Sequence, residues 1–271
     1  MTHLDPQWGL RDGDGGDWQL RAEYTPKRLR VLLGGVAIAD SRRALIVTES
    51  GRLPVYYFPE NDVRTDLFEP SGKRKAHAAL GEAVYWRVRA GGKLAEDAVW
   101  RYEPQGGDGA VLRGYYAFVW RLADAWYEEE EEVFVHARDP YSRIDAIPSS
   151  RHVRIVIGDT VVADSRRPVI LYETGLTPRY YLPKADVRFD LLTPSETSSR
   201  CPYKGQARYW HARVNGRTVE DAVWSYDEAL PEAREIAGRV GFYNERVDAV
   251  IVDGEAWTLS DKDRLPYGGV K

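Results

Sequence analysis

Apolar and polar positions alternate over short stretches along most of the chain. Arg30-Val31-Leu32-Leu33, then Gly34-Gly35, then Val36-Ala37-Ile38-Ala39 reads as strand, two-residue turn, strand. Arg154-Ile155-Val156-Ile157, Gly158-Asp159 and Thr160-Val161-Val162-Ala163 repeat that pattern. Gly-Gly and Gly-Asp supply the positive φ that tight hairpin turns need, and the flanks are rich in β-branched residues. Further short apolar runs follow at 44–48, 55–58 and 83–89, and again at 169–172, 179–182 and 207–214, punctuated by Gly and Pro. The pattern predicts an all-β, mainly antiparallel chain with little helix. Two helical pieces are expected: Leu230 to Ala237, with Pro231 in the first turn and Gly238 as the stop, and a single turn within Asp186 to Leu192.

The elements come in two sets. Ala39-Asp40-Ser41-Arg42-Arg43 returns 124 positions later as Ala163-Asp164-Ser165-Arg166-Arg167. The same shift carries Tyr56-Tyr57 onto Tyr180-Tyr181, Asp62-Val63-Arg64 onto Asp186-Val187-Arg188, and Tyr85-Trp86 onto Tyr209-Trp210. A repeat of this length is a domain, so two tandem copies of one small β-sandwich-like domain are expected. The expected organisation is a disordered tail at 1–17, a first domain at 18–135, an ordered strap at 136–152 and a second domain at 153–271. The strap follows five glutamates, Glu128–Glu132, read as a solvated edge. It is dense in Arg, His, Asp and Tyr, so Arg138, Arg143 and Arg151 are either partners in structural salt bridges or the lining of a ligand site.

Composition narrows the function classes. With 38 Lys and Arg against 42 Asp and Glu the net charge is −4, which argues against a nucleic-acid footprint over the whole molecule. Cys201 is the only cysteine, so no disulfide forms within the chain and no multi-cysteine zinc site exists. The absence of a long apolar run predicts no membrane span, and the expected compartment is the cytosol. No phosphate-binding glycine loop, dinucleotide fingerprint or nucleophile elbow is present. The histidines show no close metal-ligand spacing, and neither a metal nor a cofactor is expected.

One stretch breaks the repeat. Cys201-Pro202-Tyr203-Lys204-Gly205 stands where the first copy has His77-Ala78-Ala79-Leu80-Gly81. A thiol between Arg200 and Lys204 lies in a positive neighbourhood that favours thiolate, the nucleophilic form. A lone cysteine is also commonly just a small buried apolar residue. Lys204 is a candidate anion binder, base or amine nucleophile. Glu173 ends an apolar run, and is either an Arg partner or a proton acceptor. Arg166 is a candidate anion clamp, and Asp186 is expected to pair with Arg188 two positions on. In Tyr180-Tyr181 and Tyr209-Trp210 one member faces the core and the other faces out. Tyr181, Tyr209, Trp210 and Trp224 are thus candidates for the wall of a pocket that stacks a flat ligand.

These motifs together resemble the bacterial family termed domain of unknown function 427. The resemblance rests on Val-Ala-Asp-Ser-Arg-Arg, Glu-x-Gly-x-x-Pro-x-Tyr-Tyr-x-Pro, Asp-Val-Arg and Cys-Pro-Tyr-Lys-Gly-x-Ala-x-Tyr-Trp, and it covers nearly all of both copies. It implies a small all-β domain akin to the β-tent group, which includes drug-binding and methionine-sulfoxide-reducing relatives, and a tandem subgroup that shares the strap. The family's Cys, Lys and Gly fall on Cys201, Lys204 and Gly205, and the first copy departs at His77 and Leu80. A nucleotidyl-transfer label goes with the family, but no carboxylate pair in a transferase setting accompanies it here. Three functions are therefore expected to compete. They are a small-molecule enzyme using Cys201, Lys204 and Glu173, a binding module for an anionic or aromatic small molecule on the same walls, and an interaction scaffold formed by an intrachain pseudo-dimer.

Overall fold

The structure, a computed structural model, describes residues 20–49, 52–104, 106–174 and 176–256. The tail expected at 1–17 lies outside the described residues. The chain divides into two compact units, Met1–Asp139 and Pro140–Lys271. The first contains β1 (Leu20–Tyr24), β2 (Leu29–Leu33), β3 (Val36–Ser41), β4 (Leu45–Glu49), β5 (Val55–Pro59) and β6 (Phe68–His77). It continues with β7 (Gly81–Ala90), β8 (Lys93–Glu103), β9 (Tyr115–Phe118), β10 (Ala125–Glu128) and β11 (Glu131–Glu132). The second contains β12 (Ile144–Pro148), β13 (Val153–Ile157), β14 (Thr160–Ser165), β15 (Val169–Glu173), β16 (Leu176–Leu182) and β17 (Leu192–Cys201). It ends with β18 (Gly205–Val214), β19 (Arg217–Ser225), β20 (Val240–Phe242), β21 (Ala249–Val252) and β22 (Glu255–Ala256).

Each unit has one seven-stranded and one four-stranded antiparallel sheet, in matching order. The large sheets run β1-β4-β5-β9-β8-β7-β6 and β12-β15-β16-β20-β19-β18-β17. Ile144–Pro148, read from sequence as part of the strap, is the edge strand of the second large sheet and pairs with β15. Among the described residues no helix reaches seven residues. The expected helix at 230–237 is a short 3-10 turn at Pro231–Ile236, and 3-10 turns also occupy Lys184–Asp186 and Phe189–Leu191.

Strand alternation places the cores. In β13 Val153, Ile155 and Ile157 are buried while Arg154 and Val156 are half-buried. These three join Ile170, Tyr180, Leu182, Val223 and Phe242 in a core between the two sheets of the unit. The opposite face of the large sheet is also covered. There Val169, Leu171, Tyr181, Tyr209, Trp224 and Tyr226 pack with Ala233 and Ile236 of the 3-10 turn. The expectation that one member of each aromatic pair faces solvent therefore fails for Tyr180-Tyr181. Tyr180 belongs to the first core and Tyr181 to the second, because both faces of this sheet are roofed.

The solvated reading of the glutamate run fails at its first member. Glu128 is 5% exposed, accepts a hydrogen bond from the Tyr56 hydroxyl at 2.7 Å, and is paired with Lys27. Strand alternation turns it inward on β10, and the two partners offset its desolvation.

Candidate functional site

The site begins with a hairpin. β17 and β18 are joined by Pro202-Tyr203-Lys204, and Cys201 is the register partner of Gly205. Gly205 has φ +100°, and a Cβ there would lie 3.0 Å from the Glu228 carbonyl oxygen, so only glycine closes the turn. The Leu230 amide donates to the Lys204 carbonyl at 3.2 Å and fixes the turn from below. The Lys204 side chain folds inward rather than outward. Its Nζ donates to Glu173 Oε2, and the two side chains are only 11% and 10% exposed. Glu173 closes β15, four places from β18 in the large sheet, so its contact with Lys204 is made by the side chains and not through strand pairing. Removing both charges from water is costly unless each meets the other, and here they do.

Tyrosines surround the pair. Cys201 and Tyr243 pack against the cluster that holds Tyr181, Tyr209, Trp224 and Tyr226. The Trp224 Nε1 donates to the Tyr181 hydroxyl at 2.9 Å, and the Tyr209 hydroxyl shares a hydrogen bond with Ser199 at 2.7 Å. Gly241 seats the indole: a Cβ at that position would lie 2.9 Å from the Trp224 ring. Burial pushes the phenols of Tyr181, Tyr226 and Tyr243 well above the ordinary tyrosine range, so all three are neutral hydroxyls.

The structure thus brings Glu173, Cys201, Lys204, Tyr181, Tyr209 and Trp224 to one face. It places the other candidates elsewhere. Trp210 lies on the opposite face, packed against the inter-sheet core and edge-on to Phe189 at 6.0 Å. Asp186 does not pair with Arg188. It accepts from Ser165 Oγ at 2.7 Å and from Arg167 at 2.8 Å, while Arg188 pairs with Asp190. The 3-10 turn that ends the next strand points Asp186 back at the Ala-Asp-Ser-Arg-Arg loop. Arg167 holds its carboxyl below the usual range against the opposing effect of burial. Arg166 in that loop is exposed. Both residues are associated with the start of β15, whereas Glu173 ends it. Arg138 belongs to the first unit and pairs with Glu131, and Arg151 pairs with Asp253 at 3.5 Å.

Two residues of the site were missed at sequence level. Tyr226 sits in the same cluster, and Leu176 is the register partner of Glu173. The repeat could have found both, since they stand 124 positions after Tyr102 and Arg52.

The first unit holds a version of the same arrangement. Glu49 closes β4, and His77 Nε2 lies 2.7 Å from Glu49 Oε1. The amides of Ala79 and Leu80 donate to His77 Nδ1 at 3.3 and 3.1 Å, which leaves the ring proton on Nε2 to be donated to Glu49. Arg52 lies 3.4 Å from the other oxygen of Glu49, and the Tyr102 ring lies edge-on to His77 at 5.7 Å. Leu80, at the Lys204 position, is buried among apolar neighbours.

A sequence model of the family described as a domain of unknown function, DUF427, matches residues 21–129 and again residues 145–253. The chain belongs to this family. Its two DUF427 domains are offset by the same 124 positions that relate Glu49 to Glu173. A search of curated proteins returned no match. Among the described residues no group of three or more His, Cys, Asp or Glu side chains is placed to hold a metal ion, and no helix is long and apolar enough to cross a membrane.

Proposed function

We propose that the second domain of this bacterial, β-tent-like, cytoplasmic protein carries a small-molecule site of enzyme type at Glu173, Lys204 and Cys201. The observation that supports it is the buried Glu173–Lys204 pair on an aromatic face, with the chain's single thiol in the same turn. An apolar pair of similar size would fill that space at less desolvation cost, so keeping two charges there favours a chemical role. In this reading Cys201 is the nucleophile, Lys204 stabilises negative charge on thiolate or substrate, and Glu173 accepts a proton.

Alkylation of Cys201 across pH, followed by intact mass, tests this. The expected result is labelling that slows strongly in Lys204→Met and responds to Glu173→Gln. Labelling at the rate of an ordinary thiol in all three proteins would sink the catalytic reading. A second reading, binding without turnover, is favoured by the Glu49–His77 pair, since it shows that a buried Glu–base pair also occurs where no thiol is present. Ligand binding that persists in Cys201→Ser would select it.

A further inference from the structure

An open sheet ends in strands whose outer backbone N–H and C=O groups meet no neighbouring strand, and a protein must keep such edges from pairing with another chain. The described edges of the second domain are treated unequally. β12 is five residues long and ends in Pro148, which has no N–H to give. β22 is two residues long. The outer edge of β14 is bridged by Val187, and the Arg188 amide donates to the Val162 carbonyl at 2.9 Å. β17 is ten residues long and ends the seven-stranded sheet, as β6 does in the first domain.

The middle of β6 is Lys73-Arg74-Lys75, three exposed cations in a row. A second copy of β6 laid antiparallel about Arg74 would set cation against cation at all three positions. The equivalent residues of β17 are Thr197-Ser198-Ser199. They carry no charge, and the whole run from Glu196 to Arg200 is exposed. The charged guard on one copy of this edge is therefore missing from the other.

The charges that flank the run are self-complementary. Two antiparallel copies of β17 related by a two-fold axis at Ser198 set the two Ser198 residues opposite each other and Glu196 of each copy opposite Arg200 of the other. Strand alternation puts Glu196, Ser198 and Arg200 on one face. A bulge interrupts the pairing of β17 with β18, but four steps from Pro194 to Ser198 span two from Trp210 to Arg208, so the alternation carries through it. An axis at Arg200 or at Glu196 would set that charge against itself. An axis at Thr197 or Ser199 would leave neither charge with an opposite partner. Charge therefore selects the register centred on Ser198.

We infer that β17 is an interaction surface for a second copy of this chain, which pairs antiparallel with it about Ser198 and joins the seven-stranded sheets of two second domains into one continuous sheet. Backbone hydrogen bonds along the two edges hold the copies together. The two Glu196–Arg200 pairs, at exposed positions, fix the register. Nothing in this pairing requires a reactive Cys201.

Sedimentation velocity of the full chain tests this. An edge-to-edge contact is small, so the dimer is expected to be weak and to grow with concentration over roughly 10–500 μM. Ser198→Arg, which copies Arg74 of the first domain, is expected to leave only monomer. Glu196→Arg and Arg200→Glu are each expected to weaken the dimer about fivefold or more, and the two together, which swap the charges, to restore it. A second measurement reads the axis directly. In a Cys201→Ser background, Ser198→Cys sets two thiols opposite each other at a cross-strand Cα spacing of about 4.5–5.5 Å, within disulfide reach. Mild oxidation is expected to link it about tenfold or more faster than Arg74→Cys in the same background, because the paired strands raise the local thiol concentration. A monomer at every concentration, a dimer that survives Ser198→Arg, a charge swap that fails to restore what either single change removes, or equal linking of Ser198→Cys and Arg74→Cys would overturn the proposal.

Discussion

The turn that closes β6 and β7 and the turn that closes β17 and β18 occupy the same place in two copies of one domain, and they solve one problem differently. Each must accommodate a glutamate carried to it by the end of a strand. The first turn uses a neutral imidazole whose second nitrogen is held by two backbone amides, with an exposed arginine outside. The second uses an ammonium brought in from the turn itself, three residues further along. The lesson is that the stretch most different between the copies still preserves a buried carboxylate–base contact. What distinguishes the second copy is a second buried charge, Lys204 where the first has the apolar Leu80, and a thiol where the first has an imidazole.

The largest expected effect comes from breaking the second pair. Lys204→Met leaves Glu173 buried without its cation, a loss of about 3–5 kcal/mol. Lys204→Met combined with Glu173→Leu removes both charges and should recover most of it. His77→Ala should cost less, about 1–3 kcal/mol, because Arg52 remains beside Glu49. Hydrogen exchange in peptides covering β15 and the β17–β18 turn, set against those covering β4 and the β6–β7 turn, separates the two domains within the full chain. Equal losses for Lys204→Met and His77→Ala would show the two turns to be energetically the same.

A smaller effect is expected one strand away. Gly241 stands where the first domain has Ala117, and the Trp224 indole lies on it. Gly241→Ala brings a methyl to 2.9 Å from the Trp224 ring, which must move and release its hydrogen bond to Tyr181. A cost of about 1–3 kcal/mol follows, as for other overpacked cores. Urea unfolding followed by tryptophan fluorescence checks it, and an unchanged midpoint would mean that the indole is not fixed by this strand.

Much of the fold was legible because it is written in local signals. Gly34-Gly35 and Gly158-Asp159 flanked by β-branched residues gave both hairpins, and the 124-residue shift gave two domains. The site was legible only in part. Cys201 and Lys204 stood out as departures from the repeat. Glu173 stood out as a charge ending an apolar run. Tyr226 and Leu176 carried no such mark, since a tyrosine at a strand end and a leucine after a turn are ordinary until their equivalents are seen, Arg52 paired with Glu49 and Tyr102 edge-on to His77. Arg166 and Asp186 misled for a different reason. Their motif is shared by both copies, and the partner of Asp186 lies in a separate loop that alternation cannot locate.

That shared motif gives the smallest and cleanest contrast. Ser165 and Arg167 hold Asp186 as Ser41 and Arg43 hold Asp62, at 2.7 Å for both serine contacts. A structural network should respond alike in both domains, so Ser165→Ala and Ser41→Ala should each cost about 1 kcal/mol. Arg166, one residue away and exposed, should cost no more than about 0.5 kcal/mol when changed to Ala. The Asp186 part depends on pH in a defined direction. Its carboxyl is held below the ordinary value in the folded state, so its contribution is present above that value and is lost as pH falls through the folded one. The difference between parent and Asp186→Asn in urea midpoint should therefore shrink under acid. A large loss in Arg166→Ala, or unequal losses for the two serines, would move this loop from the scaffold shared by the copies to the site that separates them.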